Sequence, residues 1–320
     1  MLGIKREREP VYYFFSGKGG VGKTSMSAAT ALHFARKGKK VLLISTDPAH
    51  SLSDSFETEI GSDVKAIEKN LFAVEIDPQK AMQEYKEKFM PQIGKIEALK
   101  GLGLDETFDF AGMTPGIDEL AAFDKFMHYM EKKEYDVIVF DTAPTGHALR
   151  FLSLPDVLDS WVGKMISFRM KFSGITNIVK KILPFGNPEE EGDMGLKKLD
   201  EMKDRIRHAK MVLSDPKKTH YNIVMIAEDM SIAESKRSLK ILNEYNISVD
   251  TVIVNQLIQE CTQCPFCTER RKSQQKRLER IVSEFGQLNI LKAPMLREEV
   301  HGKNTLLVVG EYLYGNKQSS

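Results

Sequence analysis

Residues Gly17 to Thr24 read Gly-Lys-Gly-Gly-Val-Gly-Lys-Thr. The stretch satisfies the pattern G-x-x-x-x-G-K-[ST] in full, and its chemistry is that of a phosphate cradle. Gly17, Gly19, Gly20 and Gly22, with Val21 among them, let backbone N–H groups crowd around a polyphosphate. Lys23 reaches the β- and γ-phosphates and the Thr24 hydroxyl holds Mg²⁺. Lys18 is surplus to that task within one chain. A second lysine so close to the first makes sense if it reaches a nucleotide held by another copy, so the loop predicts a homodimer as well as a ligand.

The flanks supply the setting such a loop needs. Val11–Phe15 is β-branched and aromatic and reads as a buried strand, Ser25–Arg36 is rich in helix formers and closes at Gly38, and Val41–Ser45 reads as a second buried strand. Strand, loop, helix, parallel strand is the context of a nucleotide-binding loop and not of an arbitrary glycine-rich turn.

Further apolar runs at Leu71–Glu75, Val137–Phe140, Asn222–Ile226 and Thr251–Asn255, with a weaker one near Ile290–Ala293, alternate with helical stretches. The expected fold class is therefore α/β: a P-loop NTPase with a mostly parallel sheet covered by helices on both faces. Two long segments break the alternation and read as an inserted α-helical subdomain. The expected organisation is a nucleotide-binding core over 1–80, 131–150 and 219–315, helical insertions over 81–130 and 151–218, and a disordered tail over 316–320. Formal net charge is +1, from 46 basic and 45 acidic residues, so no overall charge points to nucleic acid. Neither a signal peptide nor an apolar run long enough to span a bilayer is visible, and three clustered cysteines make no disulfide framework. The expectation is a cytoplasmic protein that does not span the membrane.

Ligands in parallel sheets sit at the C-terminal strand ends. Four strands here lead into unusual polar sequence: Thr46-Asp47-Pro48-Ala49-His50, Asp141-Thr142-Ala143-Pro144-Thr145-Gly146, Ala227-Glu228-Asp229 and Asn255-Gln256. Asp141, after Val-Ile-Val-Phe, suits support of Mg²⁺ together with Thr24. Asp47 is then free to orient the attacking water, unless it caps a helix entered through Pro48. His50 and His147 read as loop hydrogen-bonding residues or as groups that titrate or gate.

Cys264-Pro-Phe-Cys267 offers two thiolates at metal-ligand spacing, which is half of a tetrahedral zinc site. Two copies related by a two-fold axis complete it, because an isologous interface brings the same patch from each subunit. Cys261 is a third local ligand or a free thiol. An iron–sulfur cluster and a redox pair are the alternatives.

After Phe151, the residues Leu154, Leu158, Trp161, Met165, Phe168, Phe172, Ile175, Val179 and Ile182 step by fours and threes until Pro184. A continuous helix of that span would be roughly 40 Å long at ~1.5 Å per residue, enough to lie beside a transmembrane segment. The stripe is either an interhelix core or a groove for such a segment, with Leu158, Trp161, Met165, Phe168 and Phe172 at its centre; methionine suits adaptable binding.

The loop Gly17–Thr24, the run Thr46-Asp-Pro-Ala-His-Ser-Leu-Ser-Asp54, the run Asp141-Thr-Ala-Pro-Thr-Gly-His147, Thr114-Pro-Gly-Ile-Asp118 and the C-x-x-C followed by Thr-Glu-Arg-Arg-Lys together resemble the arsenite-pump ATPase superfamily. Within it, the chain is similar to the ATPases that target tail-anchored proteins in the guided-entry pathway. That resemblance implies a homodimer that clamps ATP and Mg²⁺ between subunits, with Zn²⁺ at the far end of the interface. It casts Lys18 as an intermolecular catalytic lysine and Asp47, in switch I, as the residue that positions water. It further implies that Asp141 lies in switch II, that Glu228 and Asn255 contact nucleotide, Asn255 at the adenine, and that Pro294 lies in an adenine loop. The implied clients are the transmembrane helices of tail-anchored proteins, and a membrane receptor is a further partner such a role leaves room for. The family's metalloid pumps are typically two fused halves with dispersed cysteines. One phosphate loop and one cysteine cluster here argue against arsenite transport. An iron–sulfur carrier ATPase and a redox-activated holdase chaperone are the competing functions. A membrane-bound positioning ATPase would need a basic amphipathic C-terminal helix, and Leu306–Tyr314 has no Lys or Arg.

Overall fold

The structure is a computed structural model, and it describes residues 9–46, 51–77, 79–84, 87, 117–142, 201, 204–205, 207–260 and 263–315. Asp47, His50, His147, Cys261 and the stripe residues Leu158, Trp161, Met165, Phe168 and Phe172 lie outside them. The chain divides into two compact units, one of residues 1–148 and 213–320, the other of residues 149–212. The first is built on one sheet of eight strands: β1 (Val11–Ser16), β2 (Val41–Ser45), β3 (Lys65–Glu68), β4 (Leu71–Glu75), β5 (Val137–Asp141), β6 (Thr219–Ile226), β7 (Val249–Leu257) and β8 (Asn289–Pro294). Helices among the described residues include α1 (Lys23–Arg36), α2 (Ser51–Phe56), α3 (Ile117–Met130), α4 (Asp229–Glu244), α5 (Pro265–Phe285) and α6 (Gly302–Tyr314).

The strand order is β3-β4-β2-β5-β1-β6-β7-β8, and every pairing is parallel except β3 with β4. The expected α/β class and the covered, mostly parallel sheet are thus what the chain adopts. Strands β2 and β5 are buried along their whole length, the signature of a sheet covered on both faces. Alternation sorts their side chains. Phe15, Leu43, Val137 and Val139 join α1 and α6 in one core, with Met26, Leu32, Leu306 and Val309. On the opposite face Phe14 stacks on Phe140 at 4.7 Å and on Tyr221 at 5.6 Å, and Phe126 of α3 packs on Phe140 at 4.9 Å. The Tyr12 hydroxyl donates to the Met130 carbonyl at 2.9 Å, tying the end of α3 to β1.

Strand β3 was not expected. Lys-Ala-Ile-Glu has no apolar run, and it pairs antiparallel at the sheet edge, where a half-exposed polar strand protects unpaired backbone from other chains. Helix α1 begins two residues earlier than its composition indicated, at Lys23, because Gly22 takes a left-handed turn (φ 93°) that feeds the chain directly into it. It ends as expected at Gly38 (φ 83°), whose N–H returns to the Ala35 carbonyl while Lys39 N–H returns to Phe34.

Candidate nucleotide site

Strand β1 ends at Ser16, and the phosphate loop turns there against the neighbouring strand. Gly17 has φ 149°, and a Cβ added to it would sit 2.1 Å from the Val224 carbonyl oxygen of β6. Only glycine fits. Lys23 opens α1 and is 6% exposed, its ammonium curled across the loop onto the Lys18 carbonyl at 3.3 Å. Among the described residues it has no ion-pair partner. Helix α1 carries no side-chain cap and no acidic residue in its first turn. A buried cation and uncapped N–H groups are costly unless an anion completes them, so the loop fits a nucleotide phosphate.

Asp141 closes β5, fully buried, and its Oδ2 accepts from the Thr24 hydroxyl at 2.7 Å. The two Mg²⁺ candidates are therefore brought together, a carboxylate beside a hydroxyl at the cradle's mouth, which is a donor set of hard oxygens. Thr24 and Asp141 would hold Mg²⁺ there, and the ion would supply neutralisation of phosphate charge. The Asp141 carbonyl accepts from Thr46 N–H at 3.0 Å, which ties the strand leading to Asp47 onto the strand carrying Asp141. One residue on, Thr142 donates to the Phe15 carbonyl from its N–H at 3.2 Å and from its hydroxyl at 2.9 Å. Phosphate loop, Thr46 and Thr142 are one hydrogen-bonded unit.

Asn255, near the end of β7, is buried. Its amide donates to the Val21 carbonyl at 2.9 Å, and its Oδ1 accepts from Gln256 N–H at 2.8 Å. A Cβ on Gly22 would meet that amide at 2.4 Å. In this structure Asn255 thus clamps the phosphate loop from behind. Gln274 of α5 holds the following turn, donating to the Gln256 carbonyl at 3.0 Å and accepting from Ile258 N–H at 2.9 Å. Pro294 ends β8 in register with Leu257. Glu228 stands at the N-cap position of α4 without a side-chain cap bond and lies 3.6 Å from Arg270, both half-exposed, a pairing of little energetic weight. Glu228 and Arg270 line a cavity of about 580 Å³ with Asp229, Phe266, Gln274 and Arg277. Hydrogen bonding to Arg277, with Arg280 behind it, holds the Asp229 carboxyl below its usual range.

The Lys18 side chain is half-exposed and, among the described residues, has no ion-pair or hydrogen-bond partner, in contrast to buried Lys23. Cys264 caps the N-terminus of α5 and Cys267 lies in its first turn, with Cys267 N–H donating to Cys264 Sγ at 3.4 Å. That bond lowers the Cys264 thiol below its ordinary pKa, which favours a thiolate. Among the described residues no group of three or more His, Cys, Asp or Glu could hold a metal ion. Also among the described residues, no helix is long and apolar enough to cross a membrane.

Sequence reasoning missed three contributors. The Val224 carbonyl and Gln274 act through contacts that no local pattern announces. Glu75 could have been found: it ends an apolar strand with a buried carboxylate, as Asp141 does.

Comparison with known proteins agrees with this geometry. The sequence model of the anion-transporting ATPase family matches residues 11–315. The chain is 38% identical to the ATPase GET3B of Arabidopsis thaliana across 98% of its own length and 80% of that protein's. It is 37% identical to the ATPase GET3 of Podospora anserina, covering 97% and 92%, and 37% identical to the ATPase get3 of Schizosaccharomyces pombe, covering 94% and 90%. A complete phosphate loop closed onto a magnesium-type carboxylate, and a family match that runs from the first strand to the last helix, place the chain in the anion-transporting ATPase family, as an ATP hydrolase dependent on Mg²⁺.

Proposed function

We propose that this ATPase is a cytoplasmic homodimer that binds the transmembrane segment of tail-anchored proteins in a nucleotide-controlled groove and delivers them to a membrane after synthesis. The observation that carries the reading is the extent of similarity to ATPases named GET3. It runs through 94–98% of this chain and so takes in residues 149–212, where the apolar stripe lies. In this reading Asp47 orients the water, Glu228, Asn255 and Pro294 contact the nucleotide, and Lys18 reaches the phosphates of the partner's ATP. Nucleotide state then sets the groove's affinity for a client, because a ligand shifts a conformational equilibrium only by its differential affinity for the two states. A membrane receptor would accept the client.

The test is ATP-dependent capture of a purified tail-anchored protein. Serines at Leu158, Met165 and Phe172 are expected to reduce capture at least tenfold, each buried apolar side chain being worth about 1.5–3 kcal/mol, with ATPase activity retained. Unchanged capture removes the groove assignment.

Cys264 and Cys267, with the same pair of a second copy, complete a four-thiolate site for Zn²⁺. Protein purified without oxygen is expected to hold about half a zinc atom per chain. Replacing both cysteines by serine is expected to abolish that metal and weaken dimers in sedimentation. Iron with labile sulfide would instead make the chain a cluster carrier.

A further inference from the structure

Glu75 is the last residue of β4 and is 2% exposed. Its Oε1 accepts from the N–H groups of Leu52 at 3.0 Å and Ser53 at 3.1 Å, and its Oε2 accepts from the Ser53 hydroxyl at 3.0 Å. The Ser53 Oγ in turn accepts from Ile60 N–H at 2.9 Å. The base of this network is rigid: Glu75 N–H donates to Gly61 at 3.0 Å and Ile76 N–H to Ser45 at 2.9 Å. A carboxylate is costly to bury, and an apolar residue would end a core strand more stably. This one is hydrogen-bonded from both oxygens to two consecutive residues, an arrangement that specifies a backbone position.

The segment so held starts at the other tethered point. Thr46 is fixed on the Asp141 carbonyl, and Leu52 and Ser53 are fixed on Glu75, so described residues on either side of Asp47 in the sequence are each tethered to the sheet. In register, Asp141, Ser45 and Glu75 form a row along the C-terminal edge of three adjacent strands, the edge that carries the phosphate loop. The geometry points to Glu75 as a positioning residue for ATP hydrolysis, one that fixes the downstream end of the segment bearing Asp47. The assignment rests on Asp47 as the residue that orients water. Glu75 acts through Leu52 and Ser53.

Glu75→Gln preserves shape but removes the charge and exchanges one acceptor oxygen for an amide donor. Misplacement of a catalytic group by a fraction of an ångström has large kinetic consequences, so kcat is expected to fall about tenfold. The dissociation constant of a fluorescent ATP analogue should stay within about twofold, since the phosphate loop is untouched. In the Asp47→Asn background the same change should add no further loss, because both act through one group. An unchanged kcat in folded Glu75→Gln overturns the proposal. So does a fall in kcat matched by an equal fall in nucleotide affinity, which is what a merely structural role produces. If Glu75→Gln does not fold, Ser53→Ala, which removes one arm of the network, is judged by the same two readouts. A wild-type rate in Asp47→Asn sinks the Asp47 reading alone, and Glu75 is then judged on its own kcat and affinity.

Discussion

Lys18→Ala is expected to lower kcat about 10³-fold while nucleotide binding to the isolated chain persists. The magnitude is that of a cation supplied from a neighbouring subunit to a phosphoryl-transfer site, about 4 kcal/mol of transition-state stabilisation. Binding should persist because Lys23 bonds to the Lys18 carbonyl, a backbone group that alanine retains, and because the buried cation of the site is Lys23. A mixing experiment separates help from a partner from help within one chain. Chains carrying Lys18→Ala are combined with chains carrying Lys23→Ala, each nearly inactive alone. If Lys18 serves the partner's nucleotide, each mixed dimer contains one complete site, and random mixing should restore about a quarter of the wild-type rate per chain. If Lys18 serves its own chain, no site in the mixture is complete and the rate stays at background. Recovery in proportion to the mixed species therefore reads out the homodimer and the role of Lys18 together, and a flat result removes the cross-subunit role of Lys18 from the proposed function.

Gly17→Ala is expected to destabilise the core by about 4 kcal/mol, combining ~1–3 for a backbone angle that side chains rarely adopt with ~1–3 for overpacking. The added Cβ would sit 2.1 Å from a strand carbonyl, Val224 O, and not from a flexible side chain that could swing away. Either β1 and β6 part or the loop lifts off the sheet edge. Set against the 5–15 kcal/mol of a typical domain, that loss is a large fraction, and thermal unfolding should shift down by ~10 °C. Gly19→Ala is the internal comparison, since nothing lies within 4 Å of a Cβ there. It should unfold within a degree or two of wild type. Equal midpoints for the two variants would show that the close approach of Gly17 to β6 does not hold in solution.

Much of the fold could be read from local pattern. All seven expected strands exist, because strands buried on both faces need continuous apolar runs, and Val41–Ser45 or Val137–Asp141 cannot hide theirs. Edges were less legible. β3 has two exposed residues out of four and is specified by pairing with β4, not by its own composition. Strands β6 and β7 extend beyond their apolar stretches, to Thr219 and to Leu257, because ladder hydrogen bonds continue where hydrophobicity stops. The site divides in the same way. Thr24 and Asp141 were paired on chemistry, and the structure brings them to 2.7 Å. Asn255 was noted as a polar residue at a strand end, yet its grip on Val21 required knowing that β7 lies two strands from β1.

By itself the sequence determined the reaction chemistry: a glycine loop, its lysines and its threonine are contiguous, and contiguous residues carry their own backbone geometry. It also determined that a parallel sheet would hold that loop at its C-terminal edge. Tertiary structure alone decided which carbonyl excludes a side chain at Gly17, which amide braces the loop from behind, and which carboxylate anchors the chain beyond Asp47. Those contacts depend on strand order and register, and hydrophobic periodicity carries no record of which strands become neighbours.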